Sequence, residues 1–350
     1  MNINQLLEIT IQKNASDLHL VVGFPPQIRL HGDLQPIPGT EVLSKPEVES
    51  LVIPLLAPMQ KQTFERDLEF DFSFEFEKKG RFRVNIYRQK GTTGVALRLI
   101  PLTIMSLDQL GVPKVIAKIT ELKQGFILVT GPTGHGKSTL IAALIQKINT
   151  ERAVHIVTIE DPIEYVYPSG KALVSQRELY YDTKSWSNAL RSVLREDPDV
   201  VLIGEMRDLE TISAAMTIAE TGHLVFATLH TNSAAQSVDR IVDVFPVNQQ
   251  PQIRLQLAAT LEAIISLRLV PTINPGRIMS TEILFATPAV RNIIRESKTY
   301  MIDNLIQTSA EFGMISLESS LASLVRSGQV SQEVATKYAL KPEFLAKLLQ

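Results

Sequence analysis

The ten residues GPTGHGKSTL at positions 131–140 constrain this chain more than any other segment. They match the spacing G-x-x-x-x-G-K-[ST], in which glycine backbone N–H groups surround phosphate oxygens, the lysine reaches the terminal phosphates and the serine ligates Mg²⁺. The motif needs a strand before it and a helix after it. Residues 125–130 are apolar and strand-like, and residues 139–147 favour a helix. The segment therefore predicts a nucleoside triphosphate site rather than a chance glycine-rich turn.

The predicted phosphate-binding residues all lie in this loop and in the first turn of the helix after it. They are Gly131, Thr133, Gly134, His135, Gly136, Lys137, Ser138 and Thr139. The predicted ligands are ATP and Mg²⁺, with Ser138 as the metal ligand. For His135 we expect the backbone N–H to matter more than the ring, whose direction the sequence does not fix.

Composition narrows the class of protein. The length of 350 residues suggests about two domains. The apolar fraction of 45% and the charged fraction of 21% are typical of a folded protein. Its 35 basic and 37 acidic residues nearly balance, so no nucleic-acid partner is expected. Cysteine is absent, which excludes disulfides and thiolate zinc sites. The sequence contains no signal peptide pattern and no long apolar run, and it predicts a cytoplasmic protein.

Hydrophobic periodicity divides the chain near residue 100. Before it, helical patterns at 2–13 and 44–66 accompany alternating runs, including phenylalanine at every second position of 69–76. These runs predict an antiparallel meander in an α+β domain. After it, strands alternate with helices, which predicts an α/β fold with a mostly parallel sheet. The predicted divisions are an N-terminal domain at 1–100, a linker at 101–110, a nucleotide-binding domain at 111–275 and a helical C-terminal region at 276–350, with 251–270 also expected to be helix-rich.

Polar clusters follow four of the predicted strands. The strands are predicted at 126–130, 154–159, 200–203 and 224–229. The first leads to the phosphate loop, and the others lead to Glu160, Glu205 and His230. Because ligands bind beyond the carboxyl ends of parallel strands, these groups should meet at one edge of the sheet. Their convergence favours a nucleotide hydrolase over a passive nucleotide binder.

Three side chains are candidates for catalysis. A carboxylate near the γ-phosphate can orient a water molecule or accept its proton, and both Glu160 and Glu205 qualify without a decisive ranking. Gly204 fills the position where a metal-linked aspartate is usual. His230 could sense the γ-phosphate, whereas His223 is separated from it by a strand of roughly 23 Å and is expected to serve folding or an interface.

Arginines are frequent in the phenylalanine-rich meander. Alternation places Arg81 and Arg83 opposite Phe82 and Val84, and Arg98 lies on the next run. A solvated strand face is one interpretation. The other is that one or two of these arginines reach the γ-phosphate of a neighbouring subunit.

These motifs, in this order, resemble the secretion and type IV pilus ATPases over residues 2–330. The segments that carry the resemblance are ASDLHL at 15–20, the loop at 131–138, TIEDPIE at 158–164, LREDPD at 194–199, GEMRD at 204–208 and ETGHLVFATLHT at 220–231. AVRNIIRE at 289–296 is similar to a segment characteristic of the retraction ATPases within that family. The absence of cysteine also fits, since many assembly ATPases carry a four-cysteine zinc loop.

The resemblance implies a PAS-like N-terminal domain joined to a RecA-like P-loop ATPase domain with C-terminal helices. Family members form hexameric rings with ATP between the two domains. By this resemblance, Lys137 and Ser138 belong to the Walker A motif and Glu205 to Walker B. Glu160 belongs to the Asp box, and His223 and His230 belong to the His box. Arg83 and Arg98 match N-terminal arginines that are expected to meet nucleotide phosphates.

The implied function is a hexameric motor that couples ATP hydrolysis to domain motion and powers type IV pilus retraction, hence twitching motility. The implied partner is a PilC-like platform protein of the inner membrane, which would place the chain at the inner face of the cytoplasmic membrane only through that partner. Two alternatives remain at this point: a RecA-like motor acting on DNA, and a scaffold that binds ATP without appreciable hydrolysis.

Overall fold

The computed structural model describes residues 1–30, 32–77, 79–100 and 103–350. Within these ranges the chain forms two compact units. One comprises Met1–Thr103 and Pro162–Val166, and the other comprises Ile104–Asp161 and Tyr167–Gln350. The first two residues of the predicted linker, Pro101 and Leu102, lie outside the described residues, and the domain limits stay a prediction.

The first unit is an antiparallel sheet with helices. Its elements are α1 Ile3–Gln12, β1 Asp17–Val21, β2 Gln27–Leu30, β3 Asp33–Pro36, α2 Lys45–Val52, a 3-10 turn Ile53–Leu55, α3 Pro58–Asp67, β4 Glu69–Phe76, β5 Gly80–Gln89 and β6 Thr92–Ile100. The described strands pair in the order β3-β2-β1-β6-β5-β4. Apolar and polar side chains alternate along β5, so that Phe82, Val84 and Ile86 are fully buried.

The meander predicted from alternation is confirmed in β4, β5 and β6. The single helix expected over 44–66 is instead two helices separated by the 3-10 turn. Proline explains the break, because Pro54 lies in the turn and Pro58 is the first residue of α3, and proline is tolerated in a first helical turn but not in a helix interior.

The second unit contains a mixed sheet. Its elements are a 3-10 helix Lys114–Glu121, β7 Gly125–Thr130, α4 Lys137–Glu151, β8 His155–Glu160, β9 Leu173–Glu178, α5 Trp186–Val193, β10 Val200–Ile203, α6 Leu209–Glu220, β11 Leu224–Leu229, α7 Ala234–Asp243, α8 Gln250–Thr260, β12 Leu261–Pro271, β13 Arg277–Phe285, α9 Pro288–Arg295, a 3-10 turn Thr299–Met301, α10 Ile302–Thr308, a 3-10 turn Ala310–Phe312, α11 Leu317–Arg326, α12 Gln332–Tyr338 and α13 Pro342–Leu349. The described strands lie in the order β13-β12-β7-β11-β10-β8-β9. All neighbours are parallel except β12 and β13.

The central strands are almost entirely apolar, with Thr130 and Thr228 as the exceptions, because they are buried on both faces of the sheet. Every residue of β7, β10 and β11 is buried, as expected for interior parallel strands. The four strands predicted at 126–130, 154–159, 200–203 and 224–229 are confirmed to within one residue at each end. In the described part of the chain, no helix is long and apolar enough to cross a bilayer.

One prediction for this unit is wrong. Residues 261–270 were expected to be helix-rich, yet they form β12, which pairs with β7 on one side and β13 on the other. The short apolar run LEAIISLRLV does not by itself distinguish a buried strand from a buried helix, and hydrogen bonds to strands on both sides outweigh its helix-forming residues. The turn predicted at 274–276 joins β12 to β13, so the limit predicted between 275 and 276 falls inside a β-hairpin.

Strand β13 carries a buried carboxylate. Glu282 is 6% exposed and accepts a hydrogen bond from the backbone N–H of Ala234 at 2.7 Å. Burial raises its pKa to about 7. The negative charges of Asp303 and Glu318 also raise the pKa, whereas the Ala234 N–H and the positive charge of Lys341 lower it. The charge of this side chain therefore changes near neutral pH.

We predict that Glu282→Gln stabilises the protein at pH 8 more than at pH 5. An unfolded chain loses this proton near pH 4.5, whereas the folded chain keeps it until about pH 7, so this group lowers stability as the pH rises between those values. The gain should reach about 3 kcal/mol at most at pH 8 and stay below about 1 kcal/mol at pH 5. Denaturant unfolding at both pH values measures it. The exposed Glu333→Gln is the control, and an equal gain at both pH values would contradict the assignment.

Candidate active site

The phosphate loop, residues 131–136, leaves the end of β7 and enters α4. Gly131, Gly134 and Gly136 all have positive φ angles, of 139°, 78° and 87°, which side-chain-bearing residues rarely adopt. Gly136 is the N-cap of α4 and offers no side chain to the N–H groups of the first helical turn. The loop thus presents a helix N-terminus of the kind that binds anions.

Lys137 lies within the curve of this loop. Its side chain is buried, and its ammonium donates hydrogen bonds to the carbonyl oxygens of Gly131, at 2.7 Å, and of Pro132, at 3.1 Å. The carbonyls hold a positive charge beside the helix N-terminus, so the loop has the geometry and the charge to receive phosphate.

The ring of His135 has a fixed position that the sequence did not reveal. Its Nδ1 accepts a hydrogen bond from the backbone N–H of Leu269 at 3.0 Å. Burial lowers the pKa of His135, and the nearby charges of Arg268, Lys137 and Arg277 lower it further. The neutral ring therefore ties the phosphate loop to β12 at neutral pH.

Glu205 and His230, which follow β10 and β11, meet beside the loop. Nε2 of His230 lies 3.0 Å from Oε1 of Glu205, and Nδ1 lies 3.3 Å from the hydroxyl of Thr133. Because a carboxylate only accepts hydrogen bonds, Nε2 carries a proton, and Nδ1 lies within hydrogen-bonding distance of the Thr133 hydroxyl. A chain of hydrogen bonds thus links the phosphate loop to Glu205.

The second oxygen of Glu205 is bonded as well. Nη2 of Arg207 donates to Oε2 at 2.8 Å. Burial by itself raises the pKa of Glu205, but the guanidinium of Arg207, with smaller contributions from His230 and Lys137, outweighs it and holds the pKa below its ordinary value. Glu205 is therefore ionised at neutral pH.

Glu160 has a more enclosed position at the end of β8. Its Oε1 accepts hydrogen bonds from the hydroxyl of Thr158, at 2.6 Å, and from Nε2 of Gln176, at 3.3 Å. Gly204 lies close by, since a Cβ there would come within 3.3 Å of the Glu160 Cα and of the Ile159 carbonyl. The absence of a side chain at 204 lets the end of β10 pack against β8.

His223 lies at the opposite end of β11 from His230. Its Nδ1 is 3.0 Å from the carbonyl oxygen of Ile218 and 3.0 Å from the hydroxyl of Thr221, both at the end of α6. These contacts fit the local folding role that the sequence suggested.

Arg83 and Arg98 belong to the N-terminal unit, where the strand register places them directly opposite each other on β5 and β6. Nε of Arg98 bonds to Asp17 at 2.9 Å, and Nη1 of Arg83 lies 3.7 Å from Glu164. Arg98 is 69% exposed, so its outer nitrogens face solvent. Their contact with a nucleotide stays a prediction.

The residues around the loop are compatible with Mg²⁺ held mainly by substrate and water. In the ranges that the structure covers, no group of three or more histidine, cysteine, aspartate or glutamate side chains could enclose a metal ion. Ser138, in the first turn of α4, has the hydroxyl that Mg²⁺ would take at this position, and such ions commonly keep several waters.

Together, the parallel sheet, the glycine loop with its lysine and the strand-end carboxylate define a P-loop ATPase fold, and the predicted fold class is confirmed. The model of the family described as "Type II/IV secretion system protein" matches residues 1–282, and the chain belongs to this family.

Two relatives and one solved structure extend over nearly the whole chain. The chain is 46% identical over 343 residues to the type IV pilus retraction ATPase PilT of Pseudomonas aeruginosa, covering 98% of this chain and 99% of that protein. It is 49% identical over 346 residues to a twitching motility protein of Neisseria gonorrhoeae, covering 99% and 92%. The crystal structure of the pilus retraction motor PilT with bound ADP has a TM-score of 0.92 at 42% identity, covering 99% of each chain. The resemblance to pilus retraction ATPases is thereby confirmed.

Several residues around the site were missed from the sequence. Arg207 stands two positions after Glu205, and its acid-pairing chemistry could have been noticed in GEMRD. Arg268, whose Nη2 donates to Oδ1 of Asn232 at 3.0 Å, and Glu282 gave no such signal, because both lie on strands that were not recognised.

We predict that Gly131→Ala destabilises the nucleotide-free protein more than Gly134→Ala. Both residues have positive φ, but a Cβ at Gly131 would lie 2.6 Å from the backbone oxygen of Leu267, whereas a Cβ at Gly134 meets nothing within 4 Å. The cost should be about 1 kcal/mol at 134, from backbone strain alone, and at least about 2 kcal/mol at 131. Unfolding free energies of the two variants provide the measurement. Equal losses would show that contact with β12 does not constrain the loop.

Proposed function

We propose that this chain is an ATPase motor that powers type IV pilus retraction, and hence twitching motility, as a homo-hexameric ring. The observation that carries the proposal is the hydrogen-bonded chain from Thr133 through His230 to Glu205. It joins a phosphate loop to an ionised carboxylate, which is the arrangement that nucleotide hydrolysis needs. The names of the similar proteins supply the biological process.

Nucleotide binding is assigned to the loop and the first turn of α4. Backbone N–H groups of residues 131–136 surround the phosphates, and Lys137 exchanges its carbonyl partners for phosphate oxygens. Ser138 and Thr139 complete the first turn. Mg²⁺, bound through Ser138 and water, would neutralise charge on the phosphates.

Hydrolysis is assigned mainly to Glu205. Water attacks the γ-phosphorus in line with the leaving oxygen of ADP, and the carboxylate orients that water and takes its proton. Glu205 suits this role better than Glu160, because Glu205 contacts His230, which in turn contacts the phosphate loop. Glu160 serves as a supporting acid at the end of β8 in this proposal.

His230 is proposed to report the state of the phosphate loop. A phosphate that attracts the Thr133 hydroxyl would free Nδ1 of His230, and the ring could then shift relative to Glu205. Both oxygens of Glu205 have partners, His230 and Arg207, so release of one of them would prepare the carboxylate for water. Domain motion would follow from this change around the ring.

The arginines of the N-terminal unit complete the proposal. Arg83 and Arg98 lie opposite each other and are partly or largely exposed, so that in a ring they could meet the γ-phosphate bound by a neighbouring subunit. The proposed partner is an inner-membrane platform protein of the PilC type, which would hold the cytoplasmic ring at the inner face of the membrane.

We predict that Lys137→Ala abolishes ATP binding, and that Glu205→Gln retains binding but lowers kcat on the order of 10²–10⁴-fold. The glutamine keeps the shape but cannot take a proton. Steady-state ATP turnover and nucleotide binding measure both effects. Glu210→Gln is the control, since this exposed carboxylate on α6 bonds to Ser187 and Arg191 rather than to the loop.

The same variants test the biological process. Cells carrying Glu205→Gln should have pili that do not retract, whereas bald cells would indicate an assembly motor. Normal retraction with Glu205→Gln, together with failure of Lys137→Ala, would instead favour a nucleotide-gated scaffold. Strong activation of turnover by single-stranded DNA would revive the DNA-motor alternative.

We predict that mixing Arg98→Ala with Glu205→Gln restores part of the activity that each variant lacks. Mixed rings contain interfaces at which an intact Glu205 meets an intact arginine from the neighbouring subunit. Turnover measured across mixing ratios should pass through a maximum. Arg66→Ala, an exposed helical arginine, is the control and should need no rescue. Absence of recovery at every ratio would count against a role of Arg98 between subunits.

A further inference from the structure

Glu282 lies on β13, but its side chain is hydrogen-bonded to the segment that follows β11 and contains His230. Its Oε1 accepts the backbone N–H of Ala234 at 2.7 Å. Ala234 is the first residue of α7, four positions after His230. We call residues 230–234 the His230 loop. Glu282 therefore fixes the end of this loop at the point where it becomes a helix.

Strand β12 fixes the middle of the same loop. Nη2 of Arg268 donates to Oδ1 of Asn232 at 3.0 Å, and the charge of Glu282 acts on Arg268. The two strands of the β12–β13 hairpin thus hold the loop with one cation and one carboxyl group. A change of charge at Glu282 reaches the loop directly, through Ala234, and indirectly, through Arg268.

Charged groups from several elements face Glu282. Asp303 on α10 and Glu318 on α11 disfavour its ionisation, whereas Lys341, at the N-terminus of α13, favours it. Arg268 on β12 supplies a second positive charge. Burial is the main cause that brings the pKa of Glu282 to about 7, and the charges on the C-terminal helices adjust it.

We propose that Glu282 is a positioning residue for ATP turnover: its ionised carboxylate, bonded to the backbone N–H of Ala234, holds the His230 loop in the productive position. The inference rests on the role proposed above for His230. An ionised carboxylate makes a stronger hydrogen bond to a backbone N–H, and a helix N-terminus favours negative charge. The protonated side chain keeps the contact but holds the loop less firmly.

The test is the pH dependence of kcat and of the KM for ATP, from pH 6 to pH 8.5, in wild type, Glu282→Gln and Glu318→Gln. Wild-type kcat should rise with pH by a factor on the order of five, with KM nearly constant. Glu282→Gln should remain near the lower value throughout, because glutamine can accept the Ala234 N–H but carries no charge.

Glu318→Gln is the matched second variant. Glu318 is as buried as Glu282 and also accepts backbone N–H bonds, but its donors are Leu340 and Lys341 rather than the His230 loop. Its removal deletes a charge that opposes ionisation of Glu282. It should therefore keep the high kcat and shift the midpoint of the rise to lower pH, which ties the rise to the charge on Glu282.

A Glu282→Gln profile that coincides with wild type, or a Glu318→Gln midpoint that does not move, would overturn the inference. Glu205→Gln in the same assay separates this failure from failure of the proposed function. If Glu205→Gln abolishes turnover while Glu282→Gln has no effect, only the positioning role is wrong. If Glu205→Gln retains turnover, the proposed hydrolytic site is wrong, and with it the role of Glu282.

Discussion

The position of β11 between β7 and β10 determines the arrangement of the whole site. Leu229 pairs with Thr130, and Ala227 pairs with Ile203, in continuous parallel register. When this register is continued past the strand ends, His230 comes level with Gly131 at the start of the phosphate loop, and Glu205 comes level with Leu229, the residue just before His230. A slip of one residue would turn each side chain to the other face of the sheet. Because all three strands are buried on both faces, packing prevents such a slip.

The phosphate loop depends on β12 as much as on β7. Pairing of the two strands ends at Thr130 and Ser266, where the two hydroxyls share a hydrogen bond of 2.9 Å. Beyond that point β12 stays paired with β13 on one side, and on the other side Gly131 lies against its backbone. The Leu269 N–H no longer has a strand partner on that side, and the His135 ring accepts it. A buried donor without a partner would be costly, so this contact stabilises both the strand and the loop.

Sequence patterns predicted the part of the fold that depends on local signals. Continuous apolar runs located β7 and β11, and alternation located β4–β6, because both follow from which faces are buried. Strand β12 was missed since its conformation is decided by neighbours that are distant in sequence. The same limit applies to the site. The rule that ligands bind beyond the carboxyl ends of parallel strands predicted that Glu205 and His230 lie together, but Arg268 and Glu282 belong to the hairpin that was not recognised. The ring of His135 could not be oriented for the same reason, because its partner is a backbone group of β12.

The pKa of Glu205 is lowered and the pKa of Glu282 is raised, although both carboxylates belong to the same sheet. Their surroundings explain the difference. Burial favours the neutral acid at both, and more strongly at Glu282, which is 6% exposed, than at Glu205, whose side chain is 24% exposed. At Glu205, a guanidinium and an imidazole donate to the two oxygens, and the pKa is lowered. At Glu282, one backbone N–H is the donor, two further carboxylates lie nearby, and burial prevails. A base that must accept a proton from water has to be ionised before the reaction, which Glu205 satisfies throughout the neutral range. A group that responds to pH must change its charge within the neutral range. Burial without a paired guanidinium brings the pKa of the Glu282 carboxyl group into that range. The difference between the two therefore lies both in their depth in the fold and in their immediate partners.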